Sequence, residues 1–412
     1  MTPRFLLLFT LPIVLFTAPV RAGDWTEFRG PTGQGIADGK LPLEWSPTRN
    51  VVWKQAIPGA GWSSPVVVAG RVYLTTAVPQ AGGYSLRTLC LDAKSGQTLW
   101  NVEVVNQGAT APKIQSKNSH ASPTPLFADG RIYVHFGHMG TACLNTDGKI
   151  LWKQTDIKYS PVHGNGGSPA LVDGKLIFSC DGGDKQFVVG LDSATGKVKW
   201  KTERAVEGGK RFAFSTPLVI EVKSKKQVVL PGANVVCAYD PADGREIWRV
   251  RYKGYSTIPR PVFGHGLVFI CTGYDPPASL LAIRPDGSGD VTETHVAWTL
   301  KKSVPLTPSL LLDGDELYMV SDNGFASCVD AKTGTTHWSE RLNDAFSASP
   351  VLAGGRIYLQ SEKGKTYVVQ AGKTYKELGR SDLGERTLAS YAVAEGALFL
   401  RTETSLYRIE EK

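Results

Sequence analysis

Long apolar segments are nearly absent from the chain, and no linker divides it into separate domains. Of its 412 residues, 42% are hydrophobic and 20% are charged, which is typical of folded proteins and excludes disordered chains, collagen and coiled coils. The only apolar run stands at the amino terminus, so a polytopic membrane protein is also excluded. No linker rich in Ser, Pro and Gly and no run of one charge sign interrupts the rest. A chain of this length is usually divided into two or three domains, but one large closed domain is also compatible with this sequence.

The sequence also lacks the short motifs of common enzymes. It contains no Ser/His/Asp nucleophile signature, no Gly-rich phosphate loop and no zinc motif, and its seven His are scattered. His135 with His138, and Asp181 with Asp184, are weak metal candidates, because such residues are also ordinary at strand ends and turns. We predict no metal site. The net charge of +8 is spread along the chain, so we expect no nucleic-acid partner.

Six cysteines are present, but no two are adjacent. Four occur in the same local context shortly before a Gly turn, and the other two end apolar strands. Because equivalent positions in different repeats are held apart, we predict buried free thiols rather than disulfides. The six are Cys90, Cys143, Cys180, Cys237, Cys271 and Cys328.

Residues 1–22 resemble an export signal. Arg4 precedes a short apolar stretch that Pro12 interrupts, and the stretch ends in Val20-Arg21-Ala22. We predict a cleaved signal peptide, with an uncleaved anchor as the alternative. The first cysteine is Cys90, which argues against a lipoprotein. The expected product is soluble, monomeric, without a transmembrane span, and periplasmic or secreted.

Tryptophan recurs every 40 to 52 residues, and in five cases it lies four residues after a Gly that follows Asp or Asn. Asp and Gly in this order favour a tight hairpin. Because the tryptophans occupy equivalent positions, we interpret them as packing residues between repeats. The set is Trp53, Trp100, Trp152, Trp200, Trp248, Trp298 and Trp338.

Between the turns, apolar and polar residues alternate in short β-branched and aromatic segments, which predicts four strands per repeat. Four-stranded units of 40 to 50 residues indicate an all-β, eight-bladed β-propeller of antiparallel blades. We place the propeller at residues 50–410, after a leader at 23–49, and expect residues 51–56 to complete the last blade by pairing with the strand near Ser405 to Ile409. Blade starts are expected near Ser64, Ser122, Ser168, Thr216, Pro261, Thr307, Ser349 and Ser390.

The repeated Asp-x-x-x-Gly-x-x-x-Trp pattern with strand-opening Ser-Pro resembles the PQQ-like (pyrroloquinoline quinone) propeller repeat. That family includes quinoprotein alcohol dehydrogenases and the lipoprotein BamB of the outer-membrane β-barrel assembly machinery. The segment from Asp24 to Pro31, followed by residues 41–45, is similar to the leader of exported bacterial proteins of this class.

The resemblance implies a cofactor only in part of the family. Quinoprotein alcohol dehydrogenases stack the quinone between a Trp and a disulfide of adjacent cysteines, and they hold calcium with Glu, Asn and Asp. Adjacent cysteines are missing here, and the repeats are short. We therefore expect no cofactor, with PQQ and calcium only under the alternative of a PQQ-dependent alcohol or sugar oxidoreductase.

The segments before each first strand should face the mouth of the central channel, where aromatic and polar side chains can bind a ligand. We predict a non-catalytic module that binds an exported or cell-envelope protein, a peptide or a carbohydrate. We also expect that Trp62 and Arg260 can be replaced without loss of the fold. The candidate ligand-binding residues are Trp62, His120, His163, Asn165, Arg211, Tyr255 and Arg260.

Overall fold

Alternating apolar segments separated by Gly turns pair into eight antiparallel blades of four strands in the computed structural model. The structure describes residues 23–108, 111–275 and 277–411. The predicted all-β eight-bladed propeller is confirmed. The predicted signal peptide, residues 1–22, lies outside the described residues.

The blades are numbered along the chain, and each begins with its innermost strand. Blade 1 comprises Val66–Val68, Arg71–Gln80, Gly83–Asp92 and Thr98–Gln107. Blade 2 comprises Leu126–Ala128, Arg131–His135, Thr141–Asn145 and Ile150–Gln154. Blade 3 comprises Ala170–Val172, Lys175–Asp181, Gln186–Asp192 and Val198–Glu203. Blade 4 comprises Leu218–Val222, Lys225–Pro231, Val235–Tyr239 and Glu246–Arg251.

The second half repeats this order. Blade 5 comprises Val262–Gly264, Leu267–Cys271, Leu280–Ile283 and Val296–Leu300. Blade 6 comprises Leu311–Asp313, Glu316–Val320, Phe325–Asp330 and Thr336–Arg341. Blade 7 comprises Val351–Ala353, Arg356–Gln360, Lys365–Gln370 and Glu377–Asp382. Blade 8 comprises Ala392–Ala394, Ala397–Arg401, Ser405–Ile409 and, as its outer strand, Val51–Ala56.

Two short strands and two short helices lie outside this pattern. Ile36–Ala37 pairs in parallel with the innermost strand of blade 7, and Gly289–Asp290 pairs in parallel with the outer strand of blade 4. The helices are a 3-10 turn at Gly137–Met139 and one α-helical turn at Thr292–His295. In the part of the chain that the structure describes, no helix is long and apolar enough to cross a membrane.

Two blades begin two residues later than the Ser-Pro and Thr-Pro pairs suggested. Blade 2 begins at Leu126, after Thr124, and blade 6 begins at Leu311, after Ser309. A shift of two residues keeps the same side chains on the same face of a strand. The alternation of apolar residues was therefore compatible with both positions.

The outer strand of blade 8 comes from the beginning of the propeller sequence. Val51–Ala56 runs antiparallel to Ser405–Ile409, with Lys54 opposite Tyr407. Lys54 and Tyr407 both donate hydrogen bonds to Glu385. Burial alone would raise the pKa of Glu385, but these bonds and one from Thr402 lower it to about 2. A charged cluster thus fixes the strand on blade 8.

Six repeat tryptophans join each blade to the next one. Each indole N–H donates to a backbone carbonyl at the turn of the following blade over 3.0–3.2 Å, as Trp152 does to Ser193. In five of the six the ring lies on the turn glycine, and a Cβ on Gly196 would lie 2.5 Å from Trp152. Trp248 differs because the strand Gly289–Asp290 pairs beside it; its indole donates to Gln227 instead.

All six cysteines are buried and unpaired. Cys90, Cys143, Cys237 and Cys328 stand on the third strands of four different blades, while Cys180 and Cys271 stand on second strands. Burial raises the pKa of the Cys90 thiol to about 12, so this group stays a neutral thiol. The repeat geometry therefore uses the cysteines as small core side chains.

Candidate functional site

The leader crosses one end of the central channel. Trp25 exchanges backbone hydrogen bonds with Val67 of blade 1, and Thr26 accepts one from Phe127 of blade 2. Farther along, Gly35 accepts a hydrogen bond from Leu352 of blade 7. All three partners belong to innermost strands. The leader therefore forms a floor that spans the inner ends of the blades.

Two buried arginines hold this floor. Arg29 donates to the carbonyl oxygens of Gln34, Leu310 and Pro350, on the leader and on blades 6 and 7. No carboxylate pairs with it in the described chain. Burial, together with the charge of Arg260, lowers the pKa of Arg29 to about 9.

Arg260 stands at the same end and not at the mouth. Its guanidinium contacts the carboxylate of Glu27 over 2.9 Å and donates to the carbonyls of Phe28 and Pro217. Its side chain is 3% exposed. Gly33, with φ of +68°, makes room for it, because a Cβ there would lie 2.4 Å from the guanidinium. Arg260 is thus part of the floor, and replacing it would leave Glu27 without its partner.

Above the floor, a ring of hydroxyl side chains surrounds the channel axis. In each case but one, the residue that stands two positions before a blade's first strand is Ser or Thr. In five of these seven residues the backbone N–H donates to the hydroxyl oxygen of the next blade over 2.8–3.0 Å, as Thr124 does to Ser168, and in blade 5 the N–H of Arg260 donates to Ser309 in the same way. We call this set the hydroxyl ring. Its members are Ser64, Thr124, Ser168, Thr216, Ser309, Ser349 and Ser390.

The hydroxyl ring lines a cavity of about 470 Å³, which we call the funnel. Phe28 of the leader contributes to its wall, and one side is aromatic. There Phe212 contacts the rings of His163 and Tyr255, with centroids 5.1 and 5.6 Å apart, and Tyr255 contacts Tyr274 at 6.3 Å. The funnel therefore offers stacking surfaces beside its hydroxyl groups.

Three of the seven predicted ligand-binding residues lie on the funnel wall, namely Trp62, His163 and Tyr255. Two of these aromatic rings make cation–π contacts. The Arg386 guanidinium lies 5.5 Å from the centroid of the Trp62 ring, and the Lys210 ammonium lies 4.3 Å from that of Tyr255. The aromatic platforms at the mouth are therefore flanked by positive charge.

The other four predicted residues lie elsewhere. His120 is buried against the ring of Tyr84, and burial lowers its pKa. Asn165 is buried and bonded to the Phe136 carbonyl and to the Tyr159 hydroxyl. Arg211 is half-buried and off the funnel wall. Arg260 belongs to the floor. The available signal for the hydroxyl ring is the Ser or Thr that recurs at this position before seven of the eight blades.

The wall of the funnel carries no Asp or Glu among the described residues. Lys117 is its one lysine and pairs with Glu362 over 2.6 Å. No group of three His, Cys, Asp or Glu able to hold a metal occurs in residues 23–108, 111–275 and 277–411. Of the weak metal candidates, His135 bonds to Thr141, and burial lowers its pKa to about 3. Asp181 pairs with buried Arg204 over 2.5 Å.

A family profile described as outer membrane protein assembly factor BamB matches residues 46–215, 186–310 and 232–405. The chain belongs to this BamB family of PQQ-like propellers. The matched segments together span the propeller, so family membership rests on all eight blades.

Relatives of this BamB family chain include both an outer membrane protein assembly factor and an enzyme. A quinohemoprotein alcohol dehydrogenase, ADH IIB of Pseudomonas putida, is 26% identical over 66% of this chain, but the chain spans only 42% of that enzyme. The BamB protein of Moranella endobia is 18% identical over 73% of this chain and 70% of its own length. The crystal structure of BamB from Moraxella catarrhalis superposes with a TM-score of 0.60 at 14% identity, over 88% of this chain and 97% of that one. This similarity shows the fold.

Proposed function

We propose that the chain is an exported, non-catalytic propeller of the cell envelope that binds a carbohydrate, a peptide or a partner protein at the funnel. The observation that carries this proposal is the funnel itself. It has a floor, aromatic platforms and many hydrogen-bonding groups, yet no carboxylate of residues 23–108, 111–275 and 277–411 lies on its wall. Such a surface can bind by stacking and hydrogen bonding, but it offers no acid or base pair for a hydrolytic reaction.

The second candidate is a PQQ-dependent oxidoreductase, which the 26% identity to the alcohol dehydrogenase supports. In that family the quinone stacks on a disulfide of adjacent cysteines and the calcium is held by carboxylates. Here the six cysteines are separate and buried, and no Asp or Glu of the described chain lines the funnel. The residues present do not fit the group, so the binding role is preferred.

The proposal is tested on arrays of cell-envelope glycans and of peptides with the purified protein. We expect specific retention, and we expect that Trp62→Ala and Tyr255→Ala abolish it without a change in melting temperature. Leu99→Ala is the matched control, because Leu99 is 48% exposed on the outer strand of blade 1. Equal retention by all variants would contradict binding at the funnel.

The oxidoreductase alternative has its own test. Protein incubated with PQQ and Ca²⁺ should retain no chromophore after gel filtration and should reduce no dye with alcohols or sugars. Stoichiometric retention of the quinone with substrate-dependent dye reduction would reverse the preference.

A further inference from the structure

The hydroxyl ring holds a set of hydrogen-bond donors with no acceptor. Six of its seven oxygens accept the backbone N–H of the preceding blade or, for Ser309, of Arg260. In the described part of the chain, none of the seven O–H groups donates to a protein acceptor. The side chains of all seven residues are buried and line the funnel. Because a hydroxyl that accepts one bond can still donate its proton, the ring presents free donors to whatever occupies the cavity.

The floor beneath the ring holds one buried guanidinium group, that of Arg29, that pairs with no carboxylate of the described chain. Arg29 bonds only to carbonyls at Gln34, Leu310 and Pro350, and the last two residues directly follow ring members. Arg260 is itself bonded through its backbone N–H to the ring hydroxyl of Ser309. Arg260 has the carboxylate of Glu27 as its partner, whereas the charge of Arg29 has no such partner. In a region shielded from water, an unbalanced charge of this kind attracts an anion.

The side chains on the funnel wall carry no negative charge, among the described residues, that would repel an anionic ligand. No carboxylate of the described chain lines the funnel, and its one lysine, Lys117, pairs with Glu362. Apolar and aromatic surface at Phe28, Phe214 and Tyr255 lies beside the ring. The cavity therefore combines donors and positive potential at the ring with a platform for an apolar body.

We propose that the funnel binds a small ligand with an oxyanionic group, a carboxylate or a phosphate, which accepts hydrogen bonds from the hydroxyl ring while its apolar part packs on the aromatic wall. This inference rests on the proposed binding function and specifies the ligand chemistry of that same site. Hydrogen bonds to a charged acceptor are stronger than neutral ones, so the charge should dominate selectivity.

Isothermal titration of the purified protein with benzoate, phenyl phosphate and benzyl alcohol tests this proposal without any mutation. The three share a phenyl ring, so they isolate the oxyanion. We expect benzoate or phenyl phosphate to bind at least about 10-fold more tightly than benzyl alcohol, and the preferred anion distinguishes carboxylate from phosphate. Equal or tighter binding of benzyl alcohol would overturn the inference.

The double variant Ser168→Ala, Thr216→Val then locates the site. Loss of two donors to a charged group should weaken anion binding by about 10-fold or more. Ser215→Ala is the matched control, because Ser215 is equally buried but donates to the Pro259 carbonyl and lies off the funnel wall. Unchanged anion affinity in a double variant that remains folded, as circular dichroism reports, would overturn the assignment to the ring.

These results separate the inference from the proposed function. If a glycan or peptide is retained in a Trp62-dependent manner but neither anion is preferred over benzyl alcohol, the oxyanion inference fails and the binding function stands. If the anions bind through the ring while no array ligand is retained, the ligand class is supported and the macromolecular partner is rejected. If no probe binds, both proposals fail.

Discussion

The repeat tryptophans form an outer ring in the propeller, and the hydroxyl ring lies inside it. Both come from the same repeat, but they differ in the hydrogen-bond donors that they leave without an acceptor. On the outside, the tryptophan of one blade donates its N–H to the turn of the next and covers the turn glycine, as Trp200 does with Pro241 and Gly244. On the inside, a backbone N–H donates to the hydroxyl of the next blade, as Ser168 does to Thr216. The tryptophan N–H is therefore already used in a hydrogen bond, whereas the hydroxyl proton of the inner residue has no acceptor in the described chain.

This difference separates stability from function in the molecule. A tryptophan has one hydrogen-bond donor and a large apolar surface, and its contact with the next blade uses both. A serine or threonine contributes little buried area and has both a donor and acceptor sites. We therefore expect outer-ring variants to change folding, and hydroxyl-ring variants to change ligand binding.

The largest expected effect tests the outer ring. Trp200→Ala should lower the free energy of unfolding by about 3–5 kcal/mol, because it empties a buried site between blades 3 and 4. Denaturant titration followed by circular dichroism measures the loss. A change below about 1 kcal/mol would show that the tryptophans are not the principal contact between blades.

The second effect concerns the floor, where we expected Arg260 to be replaceable. Arg260→Leu should lower the free energy of unfolding by about 3 kcal/mol, since it leaves the Glu27 carboxylate buried without its partner. The double variant with Glu27→Gln should recover part of the loss. If the single variant is as stable as the wild type, Arg260 does not stabilise the floor, and its role would be ligand binding alone.

A third, smaller effect is expected in the hydroxyl ring, and it tests the contrast with the tryptophans directly. Ser168→Ala removes one acceptor for the Thr124 N–H, so the free energy of unfolding should fall by only about 1 kcal/mol. The same denaturant titration used for Trp200→Ala measures it. A loss as large as that of the tryptophan variant would contradict the division of roles between the rings.

The smallest effect concerns the point where the outer ring closes. The pKa of Glu385 is lowered to about 2, so its contribution is present above the ordinary carboxyl pKa and is lost as the pH falls toward 2. Lys54 is about half exposed, which limits the contribution to about 0.5–1 kcal/mol. Glu385→Gln should thus be less stable than the wild type at pH 7, and the two should converge near pH 2. A constant difference across this range would exclude the ion pair as its cause.

Much of the fold could be predicted because its signals are periodic. The spacing from Gly196 to Trp200 and its equivalents marks a hairpin in five of the repeats, and alternation marks the strands. The start of blade 2 was wrong by two residues, since a shift of two leaves the alternation intact. The site was predicted less well, because the residues before each blade lie near the axis but differ in depth: Trp62 reaches the funnel, whereas His120 packs against Tyr84.

The sequence by itself determined the repeat, the blade number, the packing tryptophans and the separation of the cysteines, since each follows from local patterns that recur from blade to blade. Only the tertiary structure decided which end of the channel is covered. The leader at residues 24–37 contacts innermost strands of blades far apart in the chain, and the position of Arg260 beside Glu27 spans 233 residues of sequence. No local pattern encodes such a contact, because it exists only once the ring of blades brings those strands together.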